Sequence, residues 1–254
     1  SKTFKLKGVG GSFTIDAAGL TSSLARGKGA LVPTADGIVE NAIIKNVAMD
    51  QVGAQLTSGI RPDGGAGYLT LNNVELVDNQ SGLGTGGDLT IKIVVNGGHF
   101  HHNGLNAGVD GNGYTHNIYT GAGTSLTLNN LVSDDPNGGH AVKHRGWETI
   151  IKGGSFSASD AAAIDLPQGT VGVATIDGAT ITKPAGSNNH AVIDYASENT
   201  ASGNGGLLIT NSTLNLLCDN PFFNVGAGSK VTLDSSTKLT GTKPTANGGK
   251  VAGL

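Results

Sequence analysis

The chain has 254 residues, enough to bury a sizeable core, and it carries a formal net charge of −3 with a pI near 6.1. This weak acidity argues against nucleic acid or an anionic membrane as the main partner. The chain has no apolar run of about 18 residues, so the sequence does not predict a transmembrane helix. The single cysteine, Cys218, excludes an internal disulfide framework. The 42 glycines and the low aromatic content of 4% predict many short strands separated by turns.

An alternating apolar strand that ends in a small polar corner recurs along the chain. Its copies begin at Tyr68, Leu89, Leu126, Thr149, Ala174, Leu207 and Val231. The corners follow one another at a base period of about 24 residues, with two insertions of about ten. This period predicts a single-domain right-handed parallel β-helix over residues 1–254, since a propeller blade needs about 40 residues. Residues 1–35 are expected to form an N-terminal cap or first coil, and residues 241–254 a loosely ordered tail.

A second, shorter strand lies between these units and carries most of the polar side chains. Its inward apolar positions are Ile60, Leu83, Ile118, Val142, Ile164, Ile193 and Phe223. The next residues face the opposite way because strand side chains alternate, and they are Arg61, Gly84, Tyr119, Lys143, Asp165, Asp194 and Asn224. Stacked coils lie about 4.8 Å apart. We therefore expect the four side chains from Tyr119 to Asp194 to form one polar ladder on the outer surface.

Residues beside this ladder extend the candidate site. Arg145 and Asn117 lie two residues from Lys143 and Tyr119, and alternation predicts the same outward side for them. The two insertions, which precede Tyr114 and follow Tyr195, adjoin the ladder and are expected to form the walls of a groove. The histidines in H-F-H-H favour a solvated loop over a metal site, because adjacent histidines on a strand point apart.

The segments G-H-A-V-K-H-R-G-W-E-T-I-I-K-G-G-S-F, N-G-Y-T-H-N-I-Y-T-G and I-D-L-P-Q-G carry a family resemblance over about residues 112–195. The first resembles the catalytic-lysine segment of β-helix polysaccharide lyases of the alginate lyase and chondroitinase B type. All three resemble bacterial right-handed β-helix repeat proteins. The resemblance implies that Lys143 is a general base and Arg145 an acid or charge stabiliser. The chain departs from these lyases at Asp165, where they usually carry their arginine, and a calcium-binding acidic cluster is not evident.

A lyase is the first functional hypothesis. β-Elimination on a uronate needs a base and a partner for the carboxylate, and a neighbouring cation such as Arg145 lowers the pKa of a lysine. The candidates for the proton donor are His116, His140 and Tyr119. The alternative is a structural role, in which Lys143 and Arg145 form ordinary salt bridges with Asp165 and Glu148.

Two other hypotheses stay open. Asp165 and Asp194 on neighbouring coils suit the carboxylate pair of a glycoside hydrolase. A sugar-binding or tailspike-like module is the non-enzymatic alternative, because the fold alone does not imply function. The expected substrate-binding residues are Asn117, Trp147, Tyr195, Arg61, His102 and Asn224. We predict a polysaccharide partner, a secreted location, no cofactor and no metal, with calcium lacking a clear motif and a homo-oligomer left open.

Overall fold

The computed structural model describes residues 3–18, 29–47, 57–86, 89–105, 115–187, 190–198, 205–241 and 246–253. Across these ranges the regular structure consists of 24 β-strands that pair in parallel within one continuous sheet. The predicted single-domain parallel β-helix is therefore confirmed. The described residues contain no helix with the length and apolar character needed to span a membrane.

Three faces run along the solenoid, and each face is a stack of parallel strands. Face 1 contains β1 (Phe4–Lys7), the first parts of β4 (Gly37–Lys45) and β6 (Tyr68–Val77), β8 (Ile91–Asn96), β11 (Thr124–Asn129), β14 (Glu148–Lys152), β17 (Ala174–Asp177), β20 (Leu207–Thr210), and the last parts of β22 (Phe223–Leu233) and β24 (Ala246–Ala252). Face 2 contains β2 (Phe13–Asp16), the second parts of β4 and β6, β9 (His99–His101), β12 (Val132–Asp134), β15 (Ser155–Ser157), β18 (Thr180–Lys183), β21 (Thr213–Leu216) and β23 (Lys238–Gly241). Face 3 contains β3 (Gly29–Leu31), β5 (Ser58–Ile60), β7 (Ser81–Gly84), β10 (Ile118–Thr120), β13 (Val142–His144), β16 (Ile164–Leu166), β19 (Ile193–Tyr195), and the first parts of β22 and β24.

The core fills the space between the three faces. It consists of apolar side chains that point inward from the strands. On face 3 the predicted inward positions are all fully buried, namely Ile60, Leu83, Ile118, Val142, Ile164, Ile193 and Phe223. Successive strands pair these residues with one another in the predicted register. Burial of such a continuous apolar stack stabilises the solenoid, because each coil covers the apolar surface of the next.

The recurring polar corner is the bend from face 1 to face 2. It places residues in the left-handed backbone region, which glycine and asparagine adopt most readily. The corner residues with positive φ include Asn41, Asn73, Gly97, Asn130, Gly153, Gly178 and Asn211. This demand on the backbone accounts for part of the high glycine and asparagine content.

Asparagines also stack at the turns that lead into face 3, where Asn79, Asn103 and Asn117 are fully buried. The Asn79 side-chain amide donates to the Asn103 side-chain oxygen at 2.9 Å, and the Asn103 amide donates to the Asn117 oxygen at 3.0 Å. The Asn117 amide donates to the carbonyls of Phe100 and Asp134, both at 2.8 Å. Asn117 thus closes a buried ladder, and its expected place on the outer surface is wrong. Alternation does not apply to it, because it precedes β10.

The two ends of the chain belong to the solenoid in their described parts. Strands β1 and β2 pair with β4, and β3 pairs with β5, so the described residues before β4 stack on the coils that follow. The segment expected to be a loose tail contains β24, which pairs in parallel with β22. An additional strand at that end continues the same stacking, because an unpaired β22 edge would leave its backbone groups open.

Candidate functional site

The polar ladder of face 3 has the predicted register. Strand pairing brings Gly84 next to Tyr119, Tyr119 next to Lys143, and Lys143 next to Asp165. The stack then continues through Asp194 to Asn224. Arg61 directly follows β5, one coil before Gly84, so it lies beyond the glycine and two coils from Tyr119.

The centre of the ladder is covered, which corrects the expectation of an open outer surface. The Asp165 side chain is only 4% exposed and the Lys143 side chain 12%. Asp194 is also buried. Groups that carry charge are costly to bury unless they are paired, so the partners of these three residues decide what the site can do.

Lys143 and His140 both contact one oxygen of Asp165. Lys143 Nζ lies 2.7 Å and His140 Nε2 lies 3.2 Å from Asp165 Oδ2. The other carboxylate oxygen, Asp165 Oδ1, is buried with no hydrogen-bond partner. The short contact with Lys143 is a charge-assisted hydrogen bond, which stabilises the ionised form of the carboxylate.

Asp194, one coil further on, has the opposite environment. Burial raises the pKa of Asp194 to about 7, and the nearby Asp165 carboxylate adds to the effect, while a hydrogen bond from Asn224 opposes it. Its Oδ1 atom is buried without a hydrogen-bond partner. Two neighbouring carboxyl groups therefore have different environments, since Asp165 is ion-paired and Asp194 can hold a proton near neutral pH.

The outer side of Lys143 faces Glu198, a residue that the sequence did not single out. Lys143 Nζ lies 3.6 Å from Glu198 Oε1, and Arg145 donates two hydrogen bonds to the Glu198 carboxylate at 2.5 and 3.0 Å. These hydrogen bonds lower the pKa of Glu198. Arg145 also hydrogen-bonds Tyr119. Glu148, the expected partner of Arg145, instead accepts a hydrogen bond from the Ser125 hydroxyl.

The two histidines expected to donate a proton are both buried. Burial lowers the pKa of His116 well below its usual value, and it lowers the pKa of His140 to about 4. His116 Nδ1 accepts the backbone N–H of His140 at 3.0 Å, and its ring stacks on Tyr119. At neutral pH burial keeps both rings uncharged, so neither acts there as an imidazolium acid.

The four other residues predicted to bind substrate differ in burial and in the face on which they lie. Tyr195 is fully buried, which corrects its assignment to the groove. Strand alternation itself places it inward, two residues after Ile193 on β19. Trp147 is 46% exposed beside Arg145, and its carbonyl accepts the backbone N–H of the exposed Val171 on the next coil. Asn224 contacts Asp194 as described above. His102 follows β9 on face 2 and is therefore not part of the face 3 ladder.

Lys183 is a further charged residue that the sequence did not single out. It lies at the end of β18 with its side chain inward, and Nζ donates to the carbonyls of Ser159 and Ala161 at 3.0 and 2.6 Å. Burial lowers the pKa of Lys183 to about 8. The alternating pattern T-I-T-K is the signal that would have found it, because Ile181 and Lys183 face the same way.

The groove walls expected from the two insertions depend partly on residues 106–114 and 199–204, which lie outside the described residues. In the described part of the chain, no three histidine, cysteine or acidic side chains are arranged to hold a metal ion.

Comparisons of the chain with protein-family models, curated proteins and solved structures found no match. The functional argument therefore depends on the geometry of face 3.

Proposed function

We propose that this β-helix is a polysaccharide-degrading enzyme that hydrolyses glycosidic bonds with Asp194 as general acid and Asp165 as the partner carboxylate. The observation that carries the proposal is the unequal environment of two carboxyl groups in register on neighbouring coils. Asp165 has Lys143 at 2.7 Å, whereas among the described residues no lysine, arginine or histidine forms an ion pair with Asp194. A pair whose members hold different charges is the arrangement that glycoside hydrolysis requires.

The spacing of the coils suggests the stereochemical course. Paired residues on adjacent coils are about 4.8 Å apart, close to the separation of about 5–5.5 Å found between the carboxyl groups of retaining glycosidases. In that mechanism Asp194 protonates the leaving oxygen, while Asp165 attacks the anomeric carbon and forms a covalent intermediate. Water then hydrolyses the intermediate with Asp194 acting as base.

Exposure rises from Asp165 at 4% through Lys143 at 12% to Glu198 at 44%, and in this proposal a sugar approaches the pair from the Glu198 side. Trp147, two residues after Arg145, is 46% exposed and is the proposed apolar platform for a sugar ring. A secreted location is consistent with a polysaccharide substrate and belongs to the same proposal.

β-Elimination at Lys143 is the second candidate. It is favoured by the placement of Tyr119 one coil before Lys143, with Arg145 hydrogen-bonded to that tyrosine. Two contacts weigh against it. Lys143 is held in an ion pair with Asp165, which occupies the amine that would act as base, and Arg145 is already bound to Glu198.

The test is a panel of neutral and uronate-containing polysaccharides mixed with the purified protein. New reducing ends and the ultraviolet absorbance of unsaturated uronate ends are followed together. We expect new reducing ends without unsaturated ones, and a rate that falls about 10²–10⁴-fold in Asp194→Asn. Asp177→Asn is the matched control, because this aspartate is exposed on face 1 and should leave the rate unchanged.

Two results would overturn the proposal. Unsaturated ends that disappear in Lys143→Ala would establish elimination. Sugar binding without either product would establish a binding module.

A further inference from the structure

A second cluster of titratable side chains lies on face 2, away from the carboxyl pair. His99 and His101 project outward from β9, and their rings stack with centroids 3.9 Å apart. His99 Nε2 lies 2.7 Å from Asp134 Oδ1 on the next coil, and His101 Nε2 lies 3.2 Å from Glu75 Oε1 on the preceding coil. A surface cavity of about 310 Å³ opens beside them and is lined in part by Glu75 and His99.

His102 joins this cluster because of its backbone conformation. The residue has a φ of +51°, in the left-handed region that ends β9. Its backbone is anchored there, since its N–H donates to the Asp135 carbonyl and its own carbonyl accepts the Asn137 side-chain amide. The turn brings His101 Nδ1 and His102 Nδ1 to 3.2 Å from each other. The expectation that adjacent histidines point apart is therefore wrong at this position.

We infer that His101 and His102 form a two-nitrogen chelate for a borderline transition-metal cation of the zinc, nickel or copper class. Imidazole nitrogens are the ligands that these ions favour. Metal–nitrogen bonds of about 2.0–2.1 Å at a tetrahedral angle place the two nitrogens about 3.4 Å apart. The Nδ1 atoms, 3.2 Å apart, are already close to that spacing, and rotation of the rings would turn both lone pairs toward one ion. Water or a bound ligand completes the coordination.

Glu75 supplies the second argument for a metal site. A hydrogen bond from His101 Nε2–H to the Glu75 carboxylate puts the ring proton on Nε2 and leaves the Nδ1 lone pair directed at His102. Carboxylates in this position orient metal-binding histidines and raise the basicity of the ligand nitrogen. His99 has its own carboxylate, Asp134, and it is left out of the chelate because the 3.2 Å contact between Nδ1 atoms joins His101 to His102.

Calorimetric titration of the untagged full chain with Zn²⁺, repeated with Ni²⁺, tests this site independently of any enzymatic activity. We expect saturable binding of one ion per chain, lost in His101→Asn and in His102→Asn. Asparagine tolerates the left-handed backbone at position 102, so that variant should fold. Glu75→Gln should weaken binding about 10–100-fold, as removal of an outer-shell carboxylate does.

The matched control is His99→Asn, which removes a neighbouring stacked histidine but leaves the chelating pair. Its affinity should stay within a few-fold of the parent chain. Absence of saturable binding in the parent chain would overturn the inference. So would equal losses in His99→Asn and His102→Asn, because the ion would then bind the cluster without using the Nδ1 pair. Either result would leave the hydrolysis proposal for face 3 intact.

Discussion

The buried asparagine ladder and the buried aspartate pair are both polar stacks on successive coils, and they differ in how well their atoms are satisfied. In the ladder, Asn103 donates to the Leu76 carbonyl and to Asn117, and its side-chain oxygen accepts from Asn79. In the pair, Asp165 Oδ1 and Asp194 Oδ1 are buried with no hydrogen-bond partner. Both stacks are largely buried, so burial alone does not distinguish them.

The difference teaches that hydrogen-bond satisfaction, more than burial, separates structural polar residues from candidate functional ones. A fully satisfied buried network rigidifies the fold, and each bond in it opposes displacement of the coils. An unsatisfied buried carboxyl group instead costs free energy in the resting protein. A cost of this kind is typical of active sites, where pKa values are shifted for chemistry.

The largest expected effect comes from breaking the satisfied stack. Asn103→Ala removes the side-chain partner of the Leu76 carbonyl and of the Asn79 backbone N–H, and each unsatisfied buried group costs about 1–3 kcal/mol. We expect the free energy of unfolding to fall by about 3 kcal/mol or more in chemical denaturation. Asn129→Ala is the control, since this asparagine belongs to an exposed amide ladder and should cost under about 1 kcal/mol. Equal losses of the free energy of unfolding in the two variants would show that the buried asparagine ladder stabilises the fold no more than the exposed one.

The next effect concerns the pH dependence of stability at Asp194. Its pKa is about 7 in the folded chain, above the value of about 4 of an unperturbed aspartate, so the folded state binds the proton more tightly. The stabilisation contributed by the Asp194 proton is therefore fully present below about pH 4 and is lost as the pH rises through about 7. Asp194→Asn should abolish this loss and be more stable above pH 7, by on the order of a few kcal/mol. Thermal unfolding across pH 4–8 measures the difference, and parallel curves for parent and variant would contradict the assignment.

The smallest effect is expected at the exposed edge of the site. Glu198→Gln removes the partner of Arg145, but this ion pair is solvent-exposed and should change stability by under about 1 kcal/mol. Its effect on binding should be larger, because Arg145 is released to bind an anionic sugar. We expect uronate-containing polysaccharides to bind more tightly to the variant, while neutral ones bind as before. An equal change for both classes would show that Arg145 does not contact the sugar charge.

Much of the fold followed from periodicity. The 24-residue step and the alternation of strand side chains predicted the parallel coils and the register from Ile60 to Phe223, because both patterns repeat in every coil. The same alternation would have placed Tyr195 and Lys183 inward.

The rest depended on features that no local pattern encodes. The Glu198 contact joins residues far apart in sequence, and Asp165 is buried against Lys143 and His140 of the preceding coil. The meeting of His101 with His102 required a backbone angle that histidine adopts only occasionally.

The most direct test of the central claim is a ¹³C-carboxyl NMR titration of the full chain, with the spectrum of Asp194→Asn used to assign the resonance. We expect the Asp194 carboxyl to titrate with a midpoint of about 7. A midpoint of about 4, as in an unperturbed aspartate, would show that Asp194 is ionised at neutral pH and would contradict Asp194 as the general acid.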